Sequence, residues 1–410
     1  MTAAPSTAPK VSPRSHRGGA FPNLDAYRGI GMLMVMTNHA AFASNLRAKA
    51  PVLNSFIARF DISIPVFFMV SGFLLFLPYV RSLLEERPHP SWRPYARNRA
   101  LRVMPAYWFA MIGVMIWFGI PTVSGAGIFD HHPLGPLAFY GLLLQTFSAS
   151  SVFHGFDVFD QAWSIGTEVT FYAVLPVAAW LLHRWLSSRD QAGRVRGLLW
   201  AMAAVILAAQ VWRVGIVVGE PSWQASAAFW LPAHMDFFAV GMAMAVWQVA
   251  GRMGTRLPSP VRWLGEHPWG AWAIAGVLWC IVVNPFEWSP LGIFTIKPSP
   301  LTFTGEYAAK QAMYCLVGFA WLAPAVFGPQ REGSLRRMLG SRPLAALGTI
   351  SLGFYLWHKA WLKAAEHWTG AQPFQGSFTT LWTITLVGGL ICGTASYVLV
   401  ERPLLARKAR

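Results

Sequence analysis

The sequence predicts an all-α integral membrane protein, with about ten transmembrane helices packed in one bundle and both termini in the cytoplasm. Three observations carry this. Of the 410 residues, 55% are hydrophobic and only 12% charged, where a soluble domain carries about 25%. The apolar residues gather into long uninterrupted runs, and the Lys and Arg collect in alternate linkers between them. A globule with so few charges could not coat itself against water, and its 21 Trp and 28 Phe would find no cover. A bilayer supplies that cover.

A spanning helix needs about 20 apolar residues. Runs of that kind fall at 27–46, 62–81, 101–120, 163–183, 198–218, 227–250, 269–285, 306–328, 344–365 and 379–400. An eleventh run, 135–147, is too short to span comfortably and opens on Gly135 and Pro136. Charge parity excludes it as a crossing. With ten spans and the N-terminus inside, the inner segments hold 24 Lys or Arg, and the outer loops hold Arg47, Lys49, Arg59 and Lys297. The remaining five lie within or at the ends of spans. Letting 135–147 cross would move the basic linker 184–196 outside and degrade this asymmetry, against the positive-inside rule. The stretch 121–162 then reads as one long outer loop, with 135–147 re-entrant or lying on the surface.

The remaining bulk features are bland. The net charge of +16 is spread through short linkers, so it reads as a topology signal and not as a nucleic-acid surface. Cys280, Cys315 and Cys392 lie inside apolar runs with no metal or CxxC spacing, and read as buried small side chains. Residues 1–26 form a basic tail of Pro, Ser, Gly and Ala, expected to be disordered. Residues 27–403 form the membrane domain and 404–410 a second basic tail. Ala48-Lys49-Ala50 after the first run has the form of a signal-cleavage site. Asn38 and His39 inside that run have no use in a disposable segment, so it reads as a retained span. The Ala-, Arg-, Pro- and Trp-rich composition points to a bacterium with a GC-biased genome, and the expected location is its cytoplasmic membrane, crossed many times.

Ionisable residues within spans are expensive and are functional candidates by default. In the first span Arg28 and His39 are eleven residues apart, three turns plus roughly 20°, so they share a face about 16 Å apart. The bland alternatives are a snorkelling arginine and a core histidine bonded to a carbonyl. Arg99 and Arg102 share a helix face at the inner surface, and paired guanidiniums suit phosphate; simple topology-setting charge is the alternative. The run beginning Trp163-Ser164 places Ser164, Glu168 and Tyr172 on one polar stripe. The competing role for Glu168 is a structural ion pair with Arg213, Lys310 or Lys359. His358 ends a Trp-His pair that reads either as a second proton carrier or as part of an interfacial belt.

Seven short motifs in register resemble the acyltransferase 3 family. They are Arg28-x10-His39; Ser71-Gly72-Phe73; the Arg-rich segment ending in Pro105-Ala106-Tyr107; Trp163-Ser164-x3-Glu168-x2-Phe171-Tyr172; Phe237-Phe238-Ala239-Val240-Gly241; Ile350-Ser351-Leu352-Gly353-Phe354-Tyr355-Leu356-Trp357-His358; and Val400-Glu401-Arg402-Pro403. The resemblance runs from Leu24 to Pro403. It implies ten spans and transfer of an acyl group, commonly acetyl, from acyl-CoA to a hydroxyl of a sugar or related acceptor. Many members modify cell-envelope glycans or lipid-linked glycans, and some acylate antibiotics. It also implies that His39 is the essential histidine and that Arg28, Arg99 and Arg102 belong to the acyl-CoA side. The chain departs from the pattern at His234-Met235-Asp236, where related sequences often carry Arg before the Asp.

The chemistry agrees. A thioester is already activated, so transfer needs an alcohol that is deprotonated as it attacks, and histidine is the usual base. The expected machinery is His39 as base, with Glu168 orienting it, its proton or the acceptor. Arg28, Arg99 and Arg102 are expected on the donor, and Trp163, Ser164, Tyr172, His234, Asp236 and His358 around a carbohydrate or glycolipid acceptor. No metal is expected. The rivals are a proton-coupled transporter, which also buries His, Glu and Arg but usually shows paired halves, and a non-enzymatic envelope scaffold.

Overall fold

The computed structural model describes residues 21–121, 134–148, 156–219, 226–283 and 305–406. Ten helices of sixteen residues or more run through them: α1 (Asn23–Ala43), α2 (Ser63–Leu84), α3 (Trp92–Phe118), α4 (Trp163–Leu186), α5 (Gln191–Val218), α6 (Met235–Arg252), α7 (Pro268–Val283), α8 (Gly305–Val326), α9 (Arg342–Thr369) and α10 (Phe378–Ser396). They match the ten apolar runs one for one. No strand occurs among the described residues; Ser44 and Gly376 form a single isolated bridge. The segment 135–147 holds only a helix of seven residues, Gly135–Gly141, and a 3-10 turn, Leu144–Phe147. Seven helical residues rise about 10 Å, too little to cross. The expectations for residues 1–20 and 407–410 lie outside the described residues, and α1 begins at Asn23, four residues before the predicted start.

Among the described residues five stretches are long and apolar enough to cross a membrane: Pro51–Leu84, Trp92–Phe118, Asp160–Leu186, Gln191–Val218 and Phe378–Ala406. Most of these are peripheral. Ile116 on α3, and Trp200 and Val218 on α5, are all more than 70% exposed, which an aqueous surface would penalise and lipid does not. By contrast α1 and α9 are lined by other helices and carry ionisable residues, and α6 has fourteen of its eighteen residues buried. A helix that faces protein on most sides is under no pressure to be apolar throughout.

A close crossing of α2 and α6 holds the centre. At the α2–α6 crossing, a Cβ added at Gly72 would lie 2.2 Å from the Phe238 carbonyl oxygen, and one at Gly241 1.9 Å from the Met69 carbonyl oxygen. Small residues of this kind let membrane helices approach until their backbones touch. α9 starts at a Pro near its N-terminus and ends at Gly370, whose φ of +64° suits the left-handed cap. In the linker before α9, Arg336 is buried and donates to the carbonyls of Pro324, Gly265 and Phe327 at 2.9, 2.5 and 2.9 Å. That arginine ties its own linker to the end of α8 and to the segment that carries Gly265. Cys315 is buried, Cys392 half-buried and Cys280 exposed, so burial of all three, as expected from the sequence, fails at Cys280.

Candidate active site

α1 and α9 lie side by side in the same direction. Gly29 meets Gly348 at one end of the contact, and ten residues further along both helices His39 meets His358, with Nδ1 of His39 2.8 Å from Nε2 of His358. The ring planes are within 14° of each other and the centroids 5.1 Å apart. Centroids lying so much further apart than the bonded nitrogens mean that the rings meet end to end, in nearly one plane. His358, buried in the bundle, places its own Nδ1 2.5 Å from the Tyr355 carbonyl oxygen. Asn38, beside His39, has a structural task, donating to the carbonyls of Ile57 and Ala58.

The chain before α4 is stapled to α9 around this pair. The Tyr355 hydroxyl donates to the Gln161 carbonyl at 2.7 Å. Having given its one proton there, it accepts from Ser164 Oγ at 2.8 Å. Gln161 Nε2 donates to the Leu356 carbonyl at 2.9 Å. One turn further out, Lys359 pairs with Asp160 at 2.7 Å, and Lys363 with Asp157 at 3.2 Å.

Towards the other end of the same helices lies a cavity of about 120 Å³, lined by Arg28 of α1, Phe68 and Ser71 of α2, Arg99 and Arg102 of α3, Ser164, Glu168 and Tyr172 of α4, and Ser351 and Tyr355 of α9. Five helices thus place three guanidiniums and one carboxylate around one space. Ser71 Oγ donates to Glu168 Oε1, and Tyr172, one turn along α4, hydrogen-bonds the same carboxylate. Arg28 reaches Asp25 at 3.2 Å on its own helix. Arg99 and Arg102 have no ion-pair partner within 4 Å among the described residues, which leaves their forks open to an anion.

The sequence-predicted residues therefore divide. Arg28, Arg99, Arg102, Ser164, Glu168 and Tyr172 line one cavity. His39 and His358 form a pair one turn beyond Tyr355. Trp163 and His234 stand behind the cavity wall, their rings 5.2 Å apart, with Phe68 5.3 Å from His234. Asp236 is elsewhere in function: wholly buried, it accepts from Arg213 at 2.6 and 2.7 Å, Gln210 at 3.0 Å, Cys315 at 3.2 Å and the Phe237 amide at 2.9 Å. Five donors already fill the lone pairs of this carboxylate, so what the structure shows at Asp236 is a buried ion pair with Arg213, and not the acceptor contact expected there.

Two observations bear on Glu168. The group bonded to the His39 ring is His358, whereas Glu168 bonds Ser71 and Tyr172, so of the roles expected of Glu168 the one towards the acceptor is the one its place in the cavity allows. The competing ion pair of Glu168 does not form, because Arg213 is taken by Asp236, Lys310 by Asp61 at 2.8 Å and Lys359 by Asp160. Sequence reasoning assigned no role to Ser71, Tyr355 or Gln161. Ser71 and Tyr355 lie in the quoted motifs, and Tyr355 is three residues from His358, a spacing that signals a shared face; nothing marked Gln161. Among the described residues no three His, Cys, Asp or Glu gather to hold a metal.

The chain is 25% identical over 360 residues to the exopolysaccharide production protein ExoZ of Rhizobium meliloti (strain 1021), covering 84% of this chain and 89% of that one. It is 24% identical over 397 residues to the protein named "Putative peptidoglycan O-acetyltransferase YrhL" of Bacillus subtilis (strain 168), covering 94% of this chain but only 55% of that one. It is also 24% identical over 422 aligned positions to Nodulation protein 10 of Rhizobium leguminosarum bv. viciae, covering 95% of each. No solved structure matches. The profile of the acyltransferase 3 family, described as an acyltransferase domain, matches residues 21–400. That span takes in every residue of the cavity and of the histidine pair, and the chain belongs to the acyltransferase 3 family, enzymes that transfer acyl groups other than aminoacyl groups.

Proposed function

We propose that the chain is a membrane O-acyltransferase that moves a short acyl group, acetyl in the simplest case, from acyl-CoA to a hydroxyl of a cell-envelope glycan or glycolipid. The observation that carries this reading is the arrangement along α1 and α9: a cavity with three guanidiniums towards the inner end, and a coplanar histidine pair towards the outer end. Arg99 and Arg102, with Arg28 behind them, are placed to grip phosphate oxygens at the inner surface. The thioester supplies an acyl carbon that is already activated. His39 takes the proton of the acceptor hydroxyl as the alcohol oxygen bonds to that carbon. The carbon–sulfur bond then breaks, and the thiolate leaves with the electron pair and is later protonated. Glu168, held by Ser71 and Tyr172, faces the cavity between the two ends and is available to the acceptor or to the cationic donor site.

The ten helices support ten spans, an even number that puts both termini on one side, and the Lys and Arg gathered in alternate linkers favour the cytoplasmic side of a bacterial membrane. The names of ExoZ and YrhL support a polysaccharide or peptidoglycan acceptor. The reading is tested by mass spectrometry of envelope glycans and glycolipids from cells with the gene, without it, and with a His39→Gln allele, alongside binding of labelled acetyl-CoA to the purified protein. The expected result is one glycan species that loses an acyl unit in both altered strains, and saturable acetyl-CoA binding. Unchanged glycans together with no acetyl-CoA binding would overturn it.

A further inference from the structure

We infer that His358 is a positioning residue that fixes the tautomer of His39, keeping the proton of His39 on Nδ1 and leaving its Nε2 bare to take up the acceptor's proton. The inference rests on the reading of His39 as the base and adds which nitrogen does the work and what holds it ready.

The argument follows the protons along one line of atoms. The Tyr355 carbonyl can only accept, so His358 Nδ1, 2.5 Å away, carries a hydrogen. A neutral imidazole has one N–H, so His358 Nε2 presents a lone pair. That lone pair points at His39 Nδ1 across 2.8 Å. Two lone pairs do not face each other at that distance, so His39 Nδ1 is the donor and His39 Nε2 carries no hydrogen. The near-coplanar, end-to-end rings give this bond its best alignment.

The alternative is a charged His358, donating at both nitrogens and forcing the proton of His39 onto Nε2, the wrong state for a base. The surroundings argue against it. His358 is 1% exposed. The carboxylates on the adjoining segment, Asp160 and Asp157, are committed to Lys359 and Lys363, and Glu366 also faces Lys363. Among the described residues no carboxylate contacts the His358 ring, and its chain neighbour is a cation. A buried charge without a partner is strongly disfavoured, so His358 is neutral.

The arrangement also serves the step after proton uptake. When His39 gains a proton on Nε2, its Nδ1–H bond to His358 is kept and becomes charge-assisted. No side chain has to turn between the two states. A carbonyl-anchored histidine here fills the orienting place that a carboxylate fills behind many catalytic or metal-bound histidines.

The test reads the tautomer without turnover or acceptor. Protein labelled with ¹⁵N-histidine, in detergent or nanodiscs, gives long-range ¹H–¹⁵N spectra in which protonated and bare ring nitrogens separate widely; the His39 signals are assigned by their loss in His39→Gln. At neutral pH His39 is expected to show a protonated Nδ1 and a bare Nε2. In His358→Phe, which keeps a flat ring but removes the acceptor, the His39 pattern should shift towards the Nε2–H form preferred by free histidine. There kcat should fall by roughly ten- to a hundred-fold, as for an orienting partner, with acetyl-CoA affinity unchanged. A native spectrum with the proton on Nε2 of His39 would overturn the inference, even if His358→Phe fails to fold. So would an Nδ1–H pattern that persists in a folded His358→Phe. If the native pattern is as expected but His39→Gln turns over normally, the assignment of the base fails while the tautomer assignment stands.

Discussion

Gly29 packs on Gly348 with no room for a side chain between them: a Cβ at position 29 would lie 3.0 Å from the Gly348 amide nitrogen, and one at Gly348 would lie 2.0 Å from the Asp25 carbonyl oxygen. This contact and the His39–His358 bond share the same sequence offset of 319, so the glycines set the spacing and register in which the histidines meet. Gly348→Val should therefore separate α1 from α9. Overpacking of this sort costs about 1–3 kcal/mol or more, and the expected outcome is a lower melting temperature in detergent together with lost transfer. Gly276→Ala, where a Cβ meets nothing within 4 Å, is the control and should leave both unchanged. A Gly348→Val protein as stable as the control would contradict the crossing.

Asp236 and Arg213 make the second prediction, because the structure pairs them with each other, both wholly buried. Asp236→Ala leaves the wholly buried Arg213 guanidinium without its partner, a change that costs about 3–5 kcal/mol. It should reduce the folded yield, with no selective rise in acceptor KM among the molecules that do fold. The double variant Arg213→Met/Asp236→Leu removes both charges and should recover most of the yield. A stable Asp236→Ala protein with a raised acceptor KM would return Asp236 to the acceptor site.

These two pairs show which parts of the molecule the sequence discloses. Apolar length and linker charge place all ten helices, because each is a property of one segment. Helical spacing alone puts Arg28 with His39, and Ser164 with Glu168 and Tyr172. Contacts between segments are another matter. Glu168 had three cations as candidate partners and took none, since each had a closer carboxylate that only the packing reveals. His358 read either as a second proton carrier or as an interfacial residue because its partner lies 319 positions away, and no periodicity within either helix encodes that register. Gln161 carried no local signal at all; its amide matters only because Leu356 happens to pass beside it.

Helix direction gives a third prediction. α1 and α9 run parallel, which requires an odd number of membrane crossings between them. Seven intervening spans satisfy this, and an additional crossing at 135–147 would not. A phosphatase reporter active only outside the cytoplasm should be active when fused within 134–148 and silent when fused within 184–196. Activity at 184–196 would break the layout and the charge assignment with it.

The donor side is tested at Arg102. Arg99 and Arg102 face the cavity with no carboxylate within 4 Å among the described residues, and the stability cost of removing Arg102 should come mainly from the buried Glu401 carboxylate on which its charge acts. Losing a hydrogen bond to a charged group costs about 1.5–3 kcal/mol, equivalent to roughly ten- to a hundred-fold in affinity. Arg102→Ala should raise the KM for acyl-CoA by that factor with normal membrane insertion, and Arg102→Lys should recover only part, because an ammonium lacks the bidentate fork. Unchanged donor affinity would reduce the motif to a topology signal.

The last prediction separates the two things that His39 does. Its Nδ1 holds a bond to His358, which any donor of similar reach could replace; its Nε2 is the proposed proton acceptor, which only a basic nitrogen can replace. His39→Gln keeps an amide N–H able to reach His358 but cannot take up a proton at neutral pH. It should insert, melt close to the native temperature and bind acetyl-CoA with native affinity, yet lose roughly 10²–10⁴ of the transfer rate, the usual contribution of a general base. His39→Ala should lose the same rate and in addition some stability, since the buried His358 nitrogen is left unpaired, a loss of about 1–3 kcal/mol. The rate separates a catalytic His39 from a structural one, because a structural histidine would leave the Gln variant active. A folded His39→Gln protein with near-native turnover would remove His39 as the base and leave Glu168, the carboxylate facing the cavity, as the group to test next.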